Sequence, residues 1–256
     1  MLQDVNSSCG QDAYRSELRR LVRAMSRANH ESVLADDLAG GIPIVRVKMF
    51  VDGNLDKRLD KLEKQLEFIA EAFDDFEALI RQYIRETPLA ALDTAAGDGQ
   101  KMLDWLRQRE QLTLEQLDHI VCQSARHQVE ALGDQLRIEH IRFQELSSLA
   151  ETMLGQLPSD GDLQLHLNPI RTWSRFHSVA LLDKGAVPLA DVVFFAVGGE
   201  ISTAVMEPRG RRLLEELVEI APCALSSWSA VSQLADYQEL ADLVVDLTEM
   251  GLVAIG

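Results

Sequence analysis

Positive charge is scarce in this chain. Its 256 residues carry 25 Lys and Arg against 41 Asp and Glu, a formal net charge of −16. That balance argues against a sequence-independent grip on nucleic acid, which needs clustered cations. Aromatic residues make up only 5% of the chain, too few for a surface that stacks on bases. Cysteine is nearly absent. Cys9, Cys122 and Cys223 are odd in number and far apart, with no Cys-x-x-Cys pair. They predict no thiolate zinc site, and they make a reducing cytoplasm the default location. Long apolar runs are missing as well. The longest, such as Val192–Val197, fall far short of a membrane span, so no membrane association is expected. Residues 1–10 are polar and lack the apolar stretch of a secretory signal. No phosphate loop, Gly-x-Gly-x-x-Gly or nucleophile elbow occurs. No Glu is followed three residues later by His, the spacing with which helix bundles hold two irons. His119, Gln123, Arg126 and Glu130 share one helix face, but no metal or other cofactor is expected from them. Cys122 lies in the apolar run Ile120–Cys122 and reads as a core thiol, and Cys223, after Pro222, reads as an exposed loop residue.

What is present suffices for a core. The chain is 46% hydrophobic, and its length suits one or two domains. Residues 1–157 read as helix. Leu18, Leu21, Val22 and Met25 mark a helix over 13–28, and Gly40–Pro43 interrupts. Val45, Val47 and Met49 suggest a strand or an extended lead-in, with Asn54 capping a long helix. Leu55, Leu59, Leu62, Leu66, Ile69 and Phe73 follow at spacings of 4, 3, 4, 3 and 4, one face of a bundle helix. Further helices are predicted over 75–86, 88–95 and 99–108. Thr113 caps another, from Leu114 to about Leu132. Gly133 interrupts it, and the pattern resumes to Leu154. Short connections favour an antiparallel bundle.

Turn residues gather at Gly155–Asp162 and mark the boundary between domains 1–157 and 158–256. Beyond it the period becomes that of strands, at Ser178–Asp183, Asp191–Val197 and Glu200–Met206. The last two are separated only by Gly198-Gly199, a tight-hairpin signal. Helices follow over 208–219, 225–235 and 238–250. The predicted fold class is therefore mainly α plus α+β. A helical bundle precedes a small winged-helix-like domain of three antiparallel strands and three helices.

A module of this kind suits a winged-helix DNA-binding regulator or a peptide reader. Residues 178–256 hold four basic and twelve acidic residues, a net −8, and 224–235 and 238–250 contain no Lys or Arg. A recognition helix without cations lacks both phosphate positioning and bidentate guanine contacts. The DNA reading is the alternative, and no nucleic acid is expected. A peptide reader needs a sheet edge with free backbone groups and side-chain pockets beside it. Glu200, Ile201, Ser202, Thr203, Ala204, Val205 and Met206 form a strand with no Pro or Lys to blunt it. Leu240, Leu243, Val244 and Leu247 on the last helix are the candidate pocket residues.

The strand and helix order of 178–256, with Leu240, Leu243, Val244 and Leu247 leading into Gly251-Leu252-Val253, resembles the peptide-recognition domain of ribosomal peptide biosynthesis. The pyrroloquinoline quinone peptide chaperone is its reference member. Upstream, 73–106 (FDDFEALIRQYIRETPLAALDTAAGDGQKMLDWL) is similar to the helical domain of companion subunits of multinuclear non-heme iron enzymes. These act in methanobactin and 3-thiaglutamate biosynthesis. Leu165–Pro169 followed by Ser178–Leu182 resembles that family's junction into its second domain, so the match spans about 45–256. The resemblance implies a non-catalytic companion subunit. It would bind the leader of a precursor peptide and deliver a cysteine-containing core to a TIM-barrel iron enzyme.

Overall fold

The computed structural model describes residues 44–87, 97–109, 111–154, 162–182 and 188–256. The helices expected over 13–28 and 88–95, the break at 40–43 and most of the junction at 155–162 lie outside these residues. Within them the chain is mainly helical, with two three-stranded antiparallel sheets. It divides into two compact units, Met1–Leu112 and Thr113–Gly256.

The first unit contains α1 (Ile44–Gln65), α2 (Glu67–Ala70), α3 (Phe76–Glu86) and α4 (Asp98–Arg107). The predicted stripe is its seam, with Leu59, Leu62, Leu66 and Ile69 all buried. The expected strand or lead-in at Val45–Met49 is instead the first turns of α1, and Asn54 lies inside that helix rather than at its start. Val and Ile cost only about 0.5 kcal/mol each in a helix, too little to forbid one. α3 begins where Asp75 accepts from the Ala78 N–H at 2.9 Å. One buried polar knot joins three elements. Arg58 of α1 makes a fork to Asp98 of α4, at 2.6 Å from Nε and 2.8 Å from Nη2, and Nη2 also donates to the Thr87 carbonyl. Tyr83 of α3 donates its O–H to Asp98 at 2.8 Å and lies under the Arg58 guanidinium.

The second unit begins with α5 (Leu114–Gln135), capped by Thr113 as expected, with Gln116 completing a reciprocal capping box. The expected break at Gly133 is absent, since the helix runs through it. The break comes at Leu136, before α6 (Arg137–Leu154). One interior glycine costs about 1 kcal/mol relative to alanine, which packing offsets.

Six strands follow among the described residues: β1 (Gln164–Leu167), β2 (Arg171–Ser178), β3 (Pro188–Val197), β4 (Glu200–Met206), β5 (Cys223–Ala224) and β6 (Val253–Ile255). They alternate with α7 (Pro208–Ile220), α8 (Leu225–Val231) and α9 (Tyr237–Glu249). One sheet has the order β2-β3-β4, the other β5-β1-β6. The strand expected at Ser178–Asp183 is corrected. The first strand of the meander is β2, and Ala180–Leu182 is a 3-10 turn. The apolar run Val179–Leu182 owes its composition to burial: Val179 is fully buried, and Leu181 and Leu182 pack against the sheet. β3, β4, α7 and α9 match the expected elements closely, while α8 ends at Val231, short of the expected 235.

The boundary falls at Leu112/Thr113, not at 155–162, because α5 and α6 pack on the sheets. β3 is buried along Ala190–Phe195, on both faces. Val193 and Phe195 face Leu213, Leu217, Trp228, Leu240 and Val244 of the C-terminal helices. Val192 and Phe194 face Cys122, Ala125 and Val129 of α5, with Ile170 and Phe176. α6 packs on β6 and brings Ala150 into the core.

Asn168 pins the corner between the two sheets and is fully buried. Its amide donates to the carbonyls of Ala196 (2.8 Å) and Gly251 (3.0 Å), and its side-chain oxygen accepts from the Ile170 N–H at 2.9 Å.

Candidate functional site

Which backbone groups of β4 are free follows from the hairpin. Gly198 and Gly199 take φ of +61° and +87°, and the loop closes on the pair Val197 and Glu200. A two-residue loop of this kind closes on a hydrogen-bonded pair. The Ala196 N–H bonds the Ile170 carbonyl on the β2 side, which fixes the same alternation independently. Asp191, Val193, Phe195 and Val197 therefore point their backbone at β4 and meet Met206, Ala204, Ser202 and Glu200. Ile201, Thr203 and Val205 point theirs outward, and β4 is the edge of its sheet.

The other edge of the sheet, β2, is capped at its C-terminal end. By the same alternation its outward groups belong to Arg171, Trp173, Arg175 and His177. Asp118 of α5, itself buried, accepts from the N–H of His177 and of Ser178, both at 2.8 Å, with His177 Nδ1 at 3.1 Å. Arg175 stands exposed and forked onto Asp191, which Arg211 also engages. The Arg175 hydrogen bond leads in holding the Asp191 carboxyl below its ordinary pKa, and the Arg211 charge adds to it against burial. The Arg211 guanidinium also lies over Trp173, 5.3 Å from the ring centre. Charged side chains are a usual means of closing an edge, and β4 carries only one, Glu200 at the hairpin, with none over Ile201–Met206.

The side chains of β4 divide between two faces. Ile201 and Val205 pack toward the α5 cluster. Ala204 is buried against the C-terminal helices, with Met206 half-buried beside it. Ser202 and Thr203 are half-buried and Glu200 is exposed.

α9 runs from the open end of the β3–β4 hairpin toward its tip, as ties at both ends show. At its start, Arg209, three residues after β4 ends, donates to Glu239 at 2.7 Å and to the Leu234 carbonyl. At its end, Gly251 (φ +81°) lies so close to Val197 of the hairpin that a Cβ there would sit 2.7 Å from a valine methyl. Leu240, Val244 and Leu247 have no exposed surface. As pocket residues they are corrected: they hold the helix to the sheet and belong to the core. The core-facing helical stripe takes all three, which leaves Leu243, partly buried on the flank, as the candidate with surface to offer.

The remaining chemistry is sparse. Cys122 is buried and burial pushes its thiol pKa up. Cys223 sits in β5 opposite Leu165, half-buried, instead of in an exposed loop, and burial raises its pKa too. Gln123, on the α5 face expected to carry it, reaches His127 at 3.1 Å. Among the described residues no group of three or more His, Cys, Asp or Glu side chains is placed to hold a metal ion. None of their helices is long and apolar enough to cross a membrane.

Asp118, Asn168 and the Arg58–Asp98–Tyr83 knot were not singled out by sequence. Each is a polar residue whose partners lie far along the chain, and local pattern carries no mark of that. No protein-family model and no curated protein matches the chain.

Proposed function

We propose that the chain is a non-catalytic recognition subunit of a ribosomal peptide-modifying system. It binds the leader of a precursor peptide as an added antiparallel strand on β4, and presents the cysteine-containing core to a TIM-barrel multinuclear iron enzyme. The observation that carries the reading is the asymmetry of the two sheet edges. β2 is capped by Asp118 and flanked by arginines, while β4 offers the backbone of Ile201, Thr203 and Val205. An open edge with free backbone groups is the geometry of β-augmentation, where main-chain bonds give affinity and flanking side chains give selectivity. The absence of Lys and Arg from α8 and α9 weighs against DNA as the ligand. The identity of the barrel partner and of the leader rests on the resemblance of 73–106 and 178–256 alone.

The alternation of β4 makes the test sharp. Proline at Thr203 removes an outward N–H and fills its place with a ring, leaving the β3 ladder intact. Thr203→Pro is expected to keep the fold by circular dichroism and to weaken leader binding at least tenfold. Ala204→Pro removes an inward ladder bond and is expected to destabilise the domain. A folded Thr203→Pro variant that binds leader as tightly as the parent overturns the docking edge. The enzyme partner is tested separately by co-expression with a barrel protein encoded beside this chain. A stable complex, with an interface above ~1,000 Å², is expected, and two separate peaks on sizing count against it.

A further inference from the structure

We propose that the segment docking on β4 is charge-asymmetric. Its Lys or Arg residues lie C-terminal to its apolar core, where Glu200, Asp246 and Glu249 receive them at the hairpin tip. The inference rests on the reading of β4 as the docking edge and adds a direction and a residue class to it.

The two ends of α9 and of the hairpin it is tied to differ in charge. At the α7 end, cations and carboxylates are matched: Arg209 pairs with Glu239, and Arg211 with Asp191 and Glu215. At the tip end there are only carboxylates. Glu200 opens β4 opposite Val197, while Asp246 and Glu249 lie on the exposed side of the last turns of α9, just before Gly251 meets Val197. No Lys or Arg occurs in 185–208 or 213–256, and none among the described residues pairs with these three. The final carbonyls of α9 add negative partial charge at the same end.

The tip also has apolar surface beside its carboxylates. Val197 is 36% exposed and Met250 37%, and the Gly251 contact brings them together. An aliphatic stem with a charged head matches that pairing, and it describes Lys and Arg. Direction follows from the sheet. Sheets that are wholly antiparallel are favoured over mixed ones, so a strand added to β2-β3-β4 runs opposite to β4. Its N-terminal residues then lie by Met206 and its C-terminal residues by Glu200.

The probe is a displayed library of random twelve-residue peptides. It is selected on the full chain at low salt, and the recovered peptides are rescreened on Thr203→Pro. Peptides that Thr203→Pro rejects are expected to carry alternating apolar residues followed, on the C-terminal side, by Lys or Arg. The double variant Glu200→Lys/Asp246→Lys is expected to weaken them about tenfold at low salt and much less at high salt, as rim charges do. Exchanging the peptide's basic residues for Glu should restore binding to that variant. Suppose the Thr203-dependent peptides place basic residues evenly or on the N-terminal side, and the double variant binds them unchanged. The inference then fails while the docking edge stands. If no recovered peptide depends on Thr203, the docking reading fails and the inference goes with it.

Discussion

At the scale of single residues, the fold depends on polar groups that satisfy partners far along the chain. Asn168 serves three backbone groups at once, and all three lose their partner when its side chain is truncated. Unsatisfied buried groups cost about 1–3 kcal/mol each. Asn168→Ala is therefore expected to destabilise the second unit by about 3 kcal/mol, read as a lower midpoint in urea with an unchanged slope. Asp98 plays the same part in the first unit. Burial alone would raise its carboxyl, but the hydrogen bonds from Arg58 and Tyr83 outweigh it and hold the pKa below the ordinary value. The Tyr83 hydroxyl moves the other way, raised by burial and by its bond to Asp98. A carboxylate whose pKa is lowered on folding stabilises the folded state above its unfolded pKa of about 3.9, and that stability is lost as pH falls through the folded value. The first unit should lose stability below about pH 4, and Asp98→Asn should remove most of that dependence. It should also cost about 3 kcal/mol at neutral pH by stranding Arg58. A wild-type acid limb that persists unchanged in Asp98→Asn would place the titrating group elsewhere.

At the scale of elements, the sequence declared periods more clearly than partners. The α1 stripe, the Thr113 cap, the Gly198-Gly199 hairpin and the three C-terminal helices are written in local spacing and turn chemistry, and the structure has each of them. β1, β5 and β6 are two to four residues long and too short for any period to show. Their pairing comes from what packs over them. The helical pattern of α9 is legible, but Leu240, Val244 and Leu247 have no exposed surface and form core, not the cleft that their spacing suggests. Residues at i, i+4 and i+7 form the stripe that meets the core first. The distinction between core and flank is testable on this helix. Leu240→Ala leaves a hole in a fully buried site and should cost about 2–5 kcal/mol. Leu243→Ser removes a partly exposed side chain and should cost less than half as much, while weakening leader binding severalfold. Equal binding by Leu243→Ser and the parent would mean that the flank of α9 takes no part in recognition.

At the scale of the whole molecule, the consequence lies in where the second unit begins. The continuous run Val192–Phe195 was itself the mark of a strand covered on both faces, and the C-terminal helices cover only one. The second cover is α5, which also carries Asp118 to the β2 edge. A fragment starting at 158 therefore loses two things. Ile170, Phe176, Val192 and Phe194 come into contact with water, an apolar face of the kind that drives association. The N–H groups of His177 and Ser178 lose their cap, so the sheet gains a second open edge, a template for pairing with another chain. A fragment of residues 113–256 keeps both α5 and α6. It is expected to unfold in a single cooperative transition, to run as a monomer and to retain the leader affinity of the full chain. The fragment 158–256 is expected to self-associate and to show no such transition. Sizing and thermal melts of the two fragments decide the matter. A monomeric, cooperative 158–256 would show that α5 is dispensable, and that the closed β2 edge is not what directs a docking strand to β4.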